Sequence, residues 1–131
     1  MKQTERKVHM RIIVVEPLEK PTVRDIGSDL ESMQQILGGS IEAVYPFDEP
    51  VVLICNEEGK LLNLPLNRAL RDSRGDVYDV IAGTFFLCAA PPDSEHFESL
   101  TDRQVETYLE RFAMPEGFLN VGGKIIVLPY L

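Results

Sequence analysis

The chain has 131 residues, of which 44% are apolar, and its formal net charge at pH 7 is −8. This size and composition are sufficient for one domain whose core needs neither metal nor disulfide support. The apolar runs are far shorter than the roughly 20 residues of a membrane-spanning helix, and no signal-peptide core follows the basic start. We therefore expect a cytoplasmic protein with no membrane partner.

The charge is unevenly distributed along the chain. Residues 1–24 hold six Lys/Arg and three Asp/Glu, which gives a net charge of +3. Residues 25–131 hold seven Lys/Arg and eighteen Asp/Glu, so this larger part of the chain has a net charge of −11. Such a body repels phosphate backbones, which argues against direct nucleic-acid binding, and attracts basic proteins. Its simplest role is to keep the protein in solution.

Local sequence patterns predict the first secondary-structure elements. Residues 9–15 are rich in β-branched side chains and predict a strand, and residues 22–26 predict a second strand after a turn that contains two prolines. A capping box of the form S-x-x-E at 28–31 begins a short amphipathic helix, which the Gly-Gly pair at 38–39 ends.

Strands dominate the middle of the chain. Residues 40–47 alternate in polarity, which is typical of a half-buried strand, and residues 51–55 are apolar throughout, which predicts a central strand covered on both faces. Gly59 stands where a hairpin turn favours a positive φ, so residues 61–64 are predicted to form the partner strand. Residues 65–79 are polar and predict one long loop or a short helical turn.

The remaining elements complete an α+β domain. Residues 80–90 predict a core strand in which Gly83 marks a bulge or a close backbone approach, and a second capping box at 101–104 begins another amphipathic helix. Residues 124–128 predict a terminal strand, which either completes its own sheet or pairs with another chain. We expect a mixed, largely antiparallel sheet with two short amphipathic helices packed on one face.

The domain boundaries follow from the same patterns. Residues 1–9 are predicted to be a flexible basic N-terminus, and residues 10–131 to be a single α+β domain. Oligomeric state is left open by the sequence.

The residues that could support redox, nucleophilic or metal chemistry include two cysteines and two histidines. Cys55 and Cys88 lie in apolar strands and are expected to be reduced core residues, with a disulfide or a reactive thiol as the alternatives. His9 and His96 lack ligand spacing to each other or to the cysteines. We therefore expect no metal and no cofactor.

Polar residues directly follow several predicted core strands. If the strands are neighbours, these side chains meet at one rim of the sheet and form a site for a carboxylate, phosphate or peptide carbonyl. The alternative is that the two asparagines close turns while Arg68 pairs with Glu57 or Asp79. The candidate ligand-binding residues are Asn56, Glu57, Asn67, Arg68 and Thr84.

A catalytic site has weaker support. Asp72, Asp76 and Asp79 form the densest acidic cluster, but they alternate with arginines as a solvated loop would, and they lack the pattern of a calcium loop. No nucleophile elbow or phosphate-binding glycine motif occurs. We assign no catalytic residue.

Several motifs, taken in order, resemble the domain of unknown function 3846 family, whose members are small proteins of bacteria, phages and plasmids. The resemblance covers about residues 10–112, with 113–131 as a C-terminal extension. It implies a mobile-element setting, of which a position beside antirestriction genes is one form, and no settled activity. The motifs are Val14–Pro17, Leu30–Gly39, Ile41–Phe47, Cys55–Lys60, Leu64–Arg68 and Asp79–Phe86.

Three functional hypotheses follow. The first is a non-enzymatic ligand-binding or regulatory domain that takes a small anionic or peptide ligand at the rim. The second is an acidic antirestriction-type or decoy protein that competes for a DNA-binding enzyme. The third is a small hydrolase or transferase that uses the aspartate cluster, which requires those side chains to line a cleft.

Overall fold

The computed structural model describes residues 8–130, so the predicted flexible N-terminus at 1–9 falls mostly outside the described residues. No helix in the described part is long and apolar enough to cross a membrane. The predicted α+β class with largely antiparallel strands is confirmed, although strands predominate. The elements are β1 (His9–Val15), β2 (Thr22–Gly27), α1 (Leu30–Leu37), β3 (Ile41–Val44), β4 (Val51–Asn56), β5 (Leu66–Arg71), β6 (Val77–Ala82), β7 (Phe85–Ala89), α2 (Asp102–Arg111), β8 (Glu116–Val121) and β9 (Lys124–Pro129).

Five strands form the central sheet in the order β2-β1-β7-β4-β3, and every neighbouring pair is antiparallel. The predicted central strand is confirmed, because the apolar run Val51–Cys55 is buried throughout and pairs with the equally buried β7. The remaining strands form two hairpins, β5 with β6 and β8 with β9.

The two helices cover opposite faces of this sheet. Met33 and Leu37 of α1 pack on the face that includes Phe86, whereas Tyr108 of α2 packs on the face that includes Phe85. The prediction that both helices lie on one face is therefore wrong. An uninterrupted apolar strand points hydrophobic side chains to both sides of the sheet, and each side has to be covered.

The predicted loop at 65–79 is instead the hairpin of β5 and β6, which turns tightly at Asp72–Asp76. The predicted partner strand at 61–64 is wrong, because residues 57–63 are turns. Nor does Gly59 have a positive φ; a Cβ there would lie 2.7 Å from the carbonyl oxygen of Ala82, so glycine is needed for close approach. The strand β5 was not predicted because its buried residues include polar ones.

The single strand predicted at 80–90 is two strands that belong to different sheets. Gly83 stands between β6 and β7 with a φ of +81°, and a Cβ at this position would lie 2.8 Å from Cδ1 of Leu64. The sequence therefore predicted the close backbone approach at Gly83, but not the change of chain direction there, which we call the Gly83 corner and which separates β6 from β7.

Of the two capping boxes predicted at the helix N-termini, one is confirmed and one is wrong. The Thr101 box is confirmed, since its hydroxyl accepts from the backbone of Gln104 and the Gln104 side chain accepts in return. The box at 28–31 is wrong, because Asp29 is the N-cap and its carboxylate accepts from Ser32 N at 3.1 Å. An aspartate adjacent to the serine offers an equally good cap one residue later.

The terminal strand is confirmed as β9, but its partner β8 was missed because Gly117 and Asn120 weaken the strand pattern. Gly122 and Gly123 join the two strands with φ values of 60° and 84°, which are typical of a two-residue hairpin turn. Tyr130 N donates to the Pro115 carbonyl at 2.8 Å and closes the open end of the hairpin.

Candidate ligand site

The structure does not bring the five predicted site residues together. Asn56 and Glu57 border one hollow, Arg68 borders a second at the end of α2, and Thr84 borders a third between β2 and α1. Asn67 is fully buried. A shared ligand-binding role for these residues stays a prediction, and the geometry around each one decides what it contributes.

Asn56 closes a turn. Its Nδ2 donates to the Leu37 carbonyl at 3.1 Å, and its Oδ1 accepts from the backbone of Glu58 at 2.8 Å. This confirms the turn-closing alternative for Asn56, and Glu57 beside it is exposed. The asparagine therefore ties the end of α1 to the turn that follows β4.

Asn67 ties three segments together from inside the protein. Its Nδ2 donates to the carbonyls of Val15 and Gly83 at 2.8 and 2.9 Å, and its Oδ1 accepts from Nη1 of Arg68 at 3.0 Å. Both polar atoms of the amide are thus hydrogen-bonded to protein groups, which is what burial of such a polar group requires.

Arg68 is the largest fully buried side chain, with 1% of its surface exposed. Its guanidinium donates to the carbonyls of Glu19 and Phe112 and to both oxygens of Asn67. The predicted pairing with Glu57 or Asp79 is wrong, because Asp79 pairs with Lys60 at 2.7 Å. Burial lowers the pKa of Arg68, and the nearby Glu116 carboxylate opposes that shift.

A hollow of about 470 Å³ lies above this buried arginine, between β5, the end of α2 and the β8–β9 hairpin. Three arginines border it, Arg68, Arg71 and Arg111, together with Glu116. We call these four residues and the space between them the arginine hollow. Apolar side chains complete its wall: Leu70, Phe112, Met114, Val127 and Pro129.

Glu116 orients one side of the arginine hollow. The side chain is buried; Oε1 accepts from the backbone of Ala69 at 2.9 Å, and Oε2 pairs with Nη2 of Arg71 at 2.7 Å. An arginine has five N–H donors, so this single contact leaves most of the Arg71 guanidinium available.

Arg111 lies on the other side of the arginine hollow. Its guanidinium lies 4.7 Å from the centre of the Phe47 ring, a cation–π contact that positions the group without using its N–H donors. Among residues 8–130 it makes no hydrogen bond or ion pair. Arg71 and Arg111 therefore both border the same space, and both retain unused donors.

The aspartate cluster is not gathered in a cleft. Asp72 accepts from the backbones of Arg74 and Asp76 at 2.9 and 3.0 Å and thereby shapes the β5–β6 turn, while Asp79 pairs with Lys60 on another side. Asp72 borders the arginine hollow and Asp79 borders the hollow beside Asn56, so the three carboxylates do not share one cleft, and the hydrolase or transferase hypothesis stays a prediction.

The cysteines are free and buried, as predicted, and face opposite sides of the central sheet. Burial raises the pKa of Cys55 to about 11, with a further contribution from Glu42, and burial raises that of Cys88 to about 12. Both are therefore protonated and poorly nucleophilic at neutral pH. Within the described residues no group of three or more His, Cys, Asp or Glu is placed to hold a metal ion.

Fold and site together define a small, sheet-rich α+β domain with an arginine-lined hollow beside its C-terminal hairpin. A family model described as Domain of unknown function (DUF3846) matches residues 10–113, which is well over half of the chain, so the protein belongs to this family as its motifs predicted. Neither a curated protein nor a solved structure matches the chain. The hairpin at residues 116–129, which supplies part of the arginine hollow, lies beyond the family match.

Proposed function

We propose that this protein is a non-enzymatic binding domain that takes a small carboxylate-bearing ligand in the arginine hollow. The observation that carries the proposal is the convergence of Arg71 and Arg111, each with unused donors, on one hollow in a chain whose net charge is −8. Guanidinium groups match the planar geometry of carboxylates and bind them with two parallel hydrogen bonds.

The lining of the hollow favours a particular ligand chemistry. Met114, Val127 and Pro129 offer apolar contacts beside the arginines, which suits a ligand with both a carboxylate and an apolar portion. Glu116 and Asp72 also border the space and would repel a polyphosphate. A monocarboxylate or the carboxylate end of a short apolar peptide therefore fits better than a nucleotide.

The test compares the thermal stabilisation of the protein by apolar monocarboxylates and by nucleotides. A ligand that binds only the folded state raises the unfolding midpoint by mass action, so the monocarboxylates are expected to raise it more than the nucleotides. Changing Arg71→Gln together with Arg111→Gln is expected to abolish that rise. The matched control is Arg103→Gln, an exposed arginine of the same helix that does not border the arginine hollow.

Two outcomes contradict the proposal. One is an unchanged midpoint with every carboxylate at millimolar concentration, and the other is an equal rise in the wild type and in the double variant. Calorimetric titration of the most stabilising compound then separates direct binding from a general effect of salt on an acidic protein.

The proposal includes the cytoplasmic location and the mobile-element setting that the sequence suggested. The acidic decoy is the second candidate, but it rests on charge alone. Four carboxylates of the described residues, those of Glu16, Asp79, Asp102 and Glu116, are already used in ion pairs within the protein. The arginine hollow is the more specific basis for a function.

A further inference from the structure

The sequence of β9 does not match its position in the fold. Ile125–Leu128 is an uninterrupted apolar run, like Val51–Cys55 in β4, and such runs are typical of strands covered on both faces. In β4 the run is at most 4% exposed, whereas Ile125, Ile126 and Leu128 remain 39%, 38% and 44% exposed. Among the described residues β9 pairs only with β8, so this hydrophobic strand lies at an edge.

The hairpin of β8 and β9 has one face toward the body and one face away from it. On the inner face Glu116 contacts Ala69, and Val127 and Pro129 border the arginine hollow. Because side chains alternate along a strand, the neighbouring residues point the other way. We call them the outward hairpin face: Leu119, Val121, Ile126, Leu128 and Tyr130, each of which is at least 38% exposed.

This face differs from the rest of the protein in charge. Of the 21 acidic residues none follows Glu116, and Lys124 is the only charged side chain in the sequence after it. Residues 117–131 therefore carry no negative side chain, although the whole chain has a net charge of −8. Two such faces can approach one another without placing carboxylates opposite carboxylates.

We propose that the outward hairpin face binds a second copy of this chain, so that two hairpins pack face to face in a symmetric dimer. A twofold interface needs a self-complementary patch, and a flat, apolar, nearly uncharged sheet face provides one. A basic partner protein would need carboxylates on this face, and the face has none. An anionic membrane would repel the acidic body of the protein. The inner face is not used, so the arginine hollow stays open and this inference is independent of the proposed function.

The area and the net charge predict how the dimer behaves. Five partly exposed side chains contribute on the order of 400 Å² per copy, and interfaces below about 1,200 Å² in total are usually weak, so we expect dissociation in the micromolar range. Two copies with a charge of −8 each repel at long range, and added salt screens that repulsion. Self-association should therefore strengthen with salt, whereas binding to a basic partner would weaken.

The experiment is sedimentation equilibrium of the full chain across the micromolar range at low and at high salt. The wild-type mass is expected to rise toward twice the monomer value with concentration, and to rise earlier at high salt. Leu119 and Ile126 lie opposite each other across the two strands, so Leu119→Lys with Ile126→Lys should leave only monomer. The control is Leu61→Lys, which places the same charge on a turn residue that is 86% exposed and should leave the dimer intact.

A second measurement keeps the proposal testable if the lysine variants unfold. Ile126→Cys retains a small apolar side chain, and the two native thiols are buried, so mild oxidation should join two copies through the introduced cysteine. Leu61→Cys should remain monomeric under the same conditions. A wild-type protein that stays monomeric at every concentration, or a dimer that survives the lysine substitutions, overturns the proposal.

Discussion

Arg68 and Phe112, which are 44 residues apart, are joined by two hydrogen bonds to one carbonyl oxygen, from Nε at 3.4 Å and from Nη2 at 3.1 Å. Phe112 is the C-cap of α2, so a strand from the middle of the chain holds the end of the last helix. The Phe112 ring also packs edge-on against Phe85, 5.4 Å between ring centres. The arginine thus positions the helix end that borders the arginine hollow, and a cation suits the carbonyl end of a helix.

We expect Arg68→Lys to destabilise the protein although it preserves the charge. An ammonium group cannot reach the carbonyls of Glu19 and Phe112 and the side chain of Asn67 at the same time, and the buried carbonyls that lose their donor raise the free energy of the folded state. The expected loss is about 2–4 kcal/mol in the free energy of unfolding, measured by urea denaturation. Arg74→Lys in the exposed turn is the control, and equal losses for the two variants would contradict this account.

The corner at Gly83 predicts a graded effect of glycine substitution. Gly83→Ala adds a Cβ both at a positive φ and 2.8 Å from Leu64, whereas Gly75→Ala adds one at a positive φ with nothing within 4 Å. We expect about 1 kcal/mol of destabilisation at Gly75 and at least twice as much at Gly83. The midpoints of thermal unfolding measure this difference, and a Gly83 variant as stable as the Gly75 variant would show that Leu64 moves aside freely.

Stability should fall at alkaline pH because of the buried thiols. The pKa of each cysteine is raised in the folded state, from an ordinary value of 9.0 to about 11 for Cys55 and about 12 for Cys88. Above pH 9 the unfolded chain releases these protons while the folded protein retains them, so unfolding becomes more favourable until each folded-state pKa is passed. The measurement is the urea midpoint at about pH 8 and about pH 10.5. Cys88→Ala should reduce the difference between the two midpoints, whatever its effect on stability at pH 8.

Removing the acid from the arginine hollow should strengthen carboxylate binding, if the proposed function holds. Glu116→Gln keeps an oxygen that can accept from Ala69 N but no longer neutralises Arg71, so a bound carboxylate meets less competition. We expect a several-fold lower dissociation constant by calorimetric titration. Asp76→Asn changes the net charge equally at a turn outside the hollow and serves as the control. An equal gain in both variants would indicate a general charge effect instead of a local one.

Local sequence patterns predicted the elements whose side chains follow a simple rule. The apolar run of β4 and the Thr101 box were identified because strand burial and helix capping depend on residues close in the chain. The hairpin of β5 and β6 was missed because Asn67 and Arg68 are polar yet buried, which reverses the usual relation between polarity and exposure. For that reason the sequence of residues 65–79 predicts a loop.

The candidate site was predicted only in part. Arg68 was identified because it follows the predicted end of a strand, but its partners are the carbonyls of Glu19 and Phe112 and both oxygens of Asn67. Arg71, Arg111 and Glu116 gave no signal, since an isolated charge in a polar segment or in the last turn of a helix is usually solvated. They meet only because the ends of β5, α2 and the start of β8 converge.

By itself the sequence determined the family, the α+β class, most of the strands and helices, and the two buried thiols, because periodicity, caps and apolar runs act over a few residues. Only the tertiary structure decided which helix covers which face of the sheet and which charged side chains share a hollow. Those relationships depend on the pairing of strands that are distant in the chain, and such pairing is set by burial of the whole core and not by any local pattern.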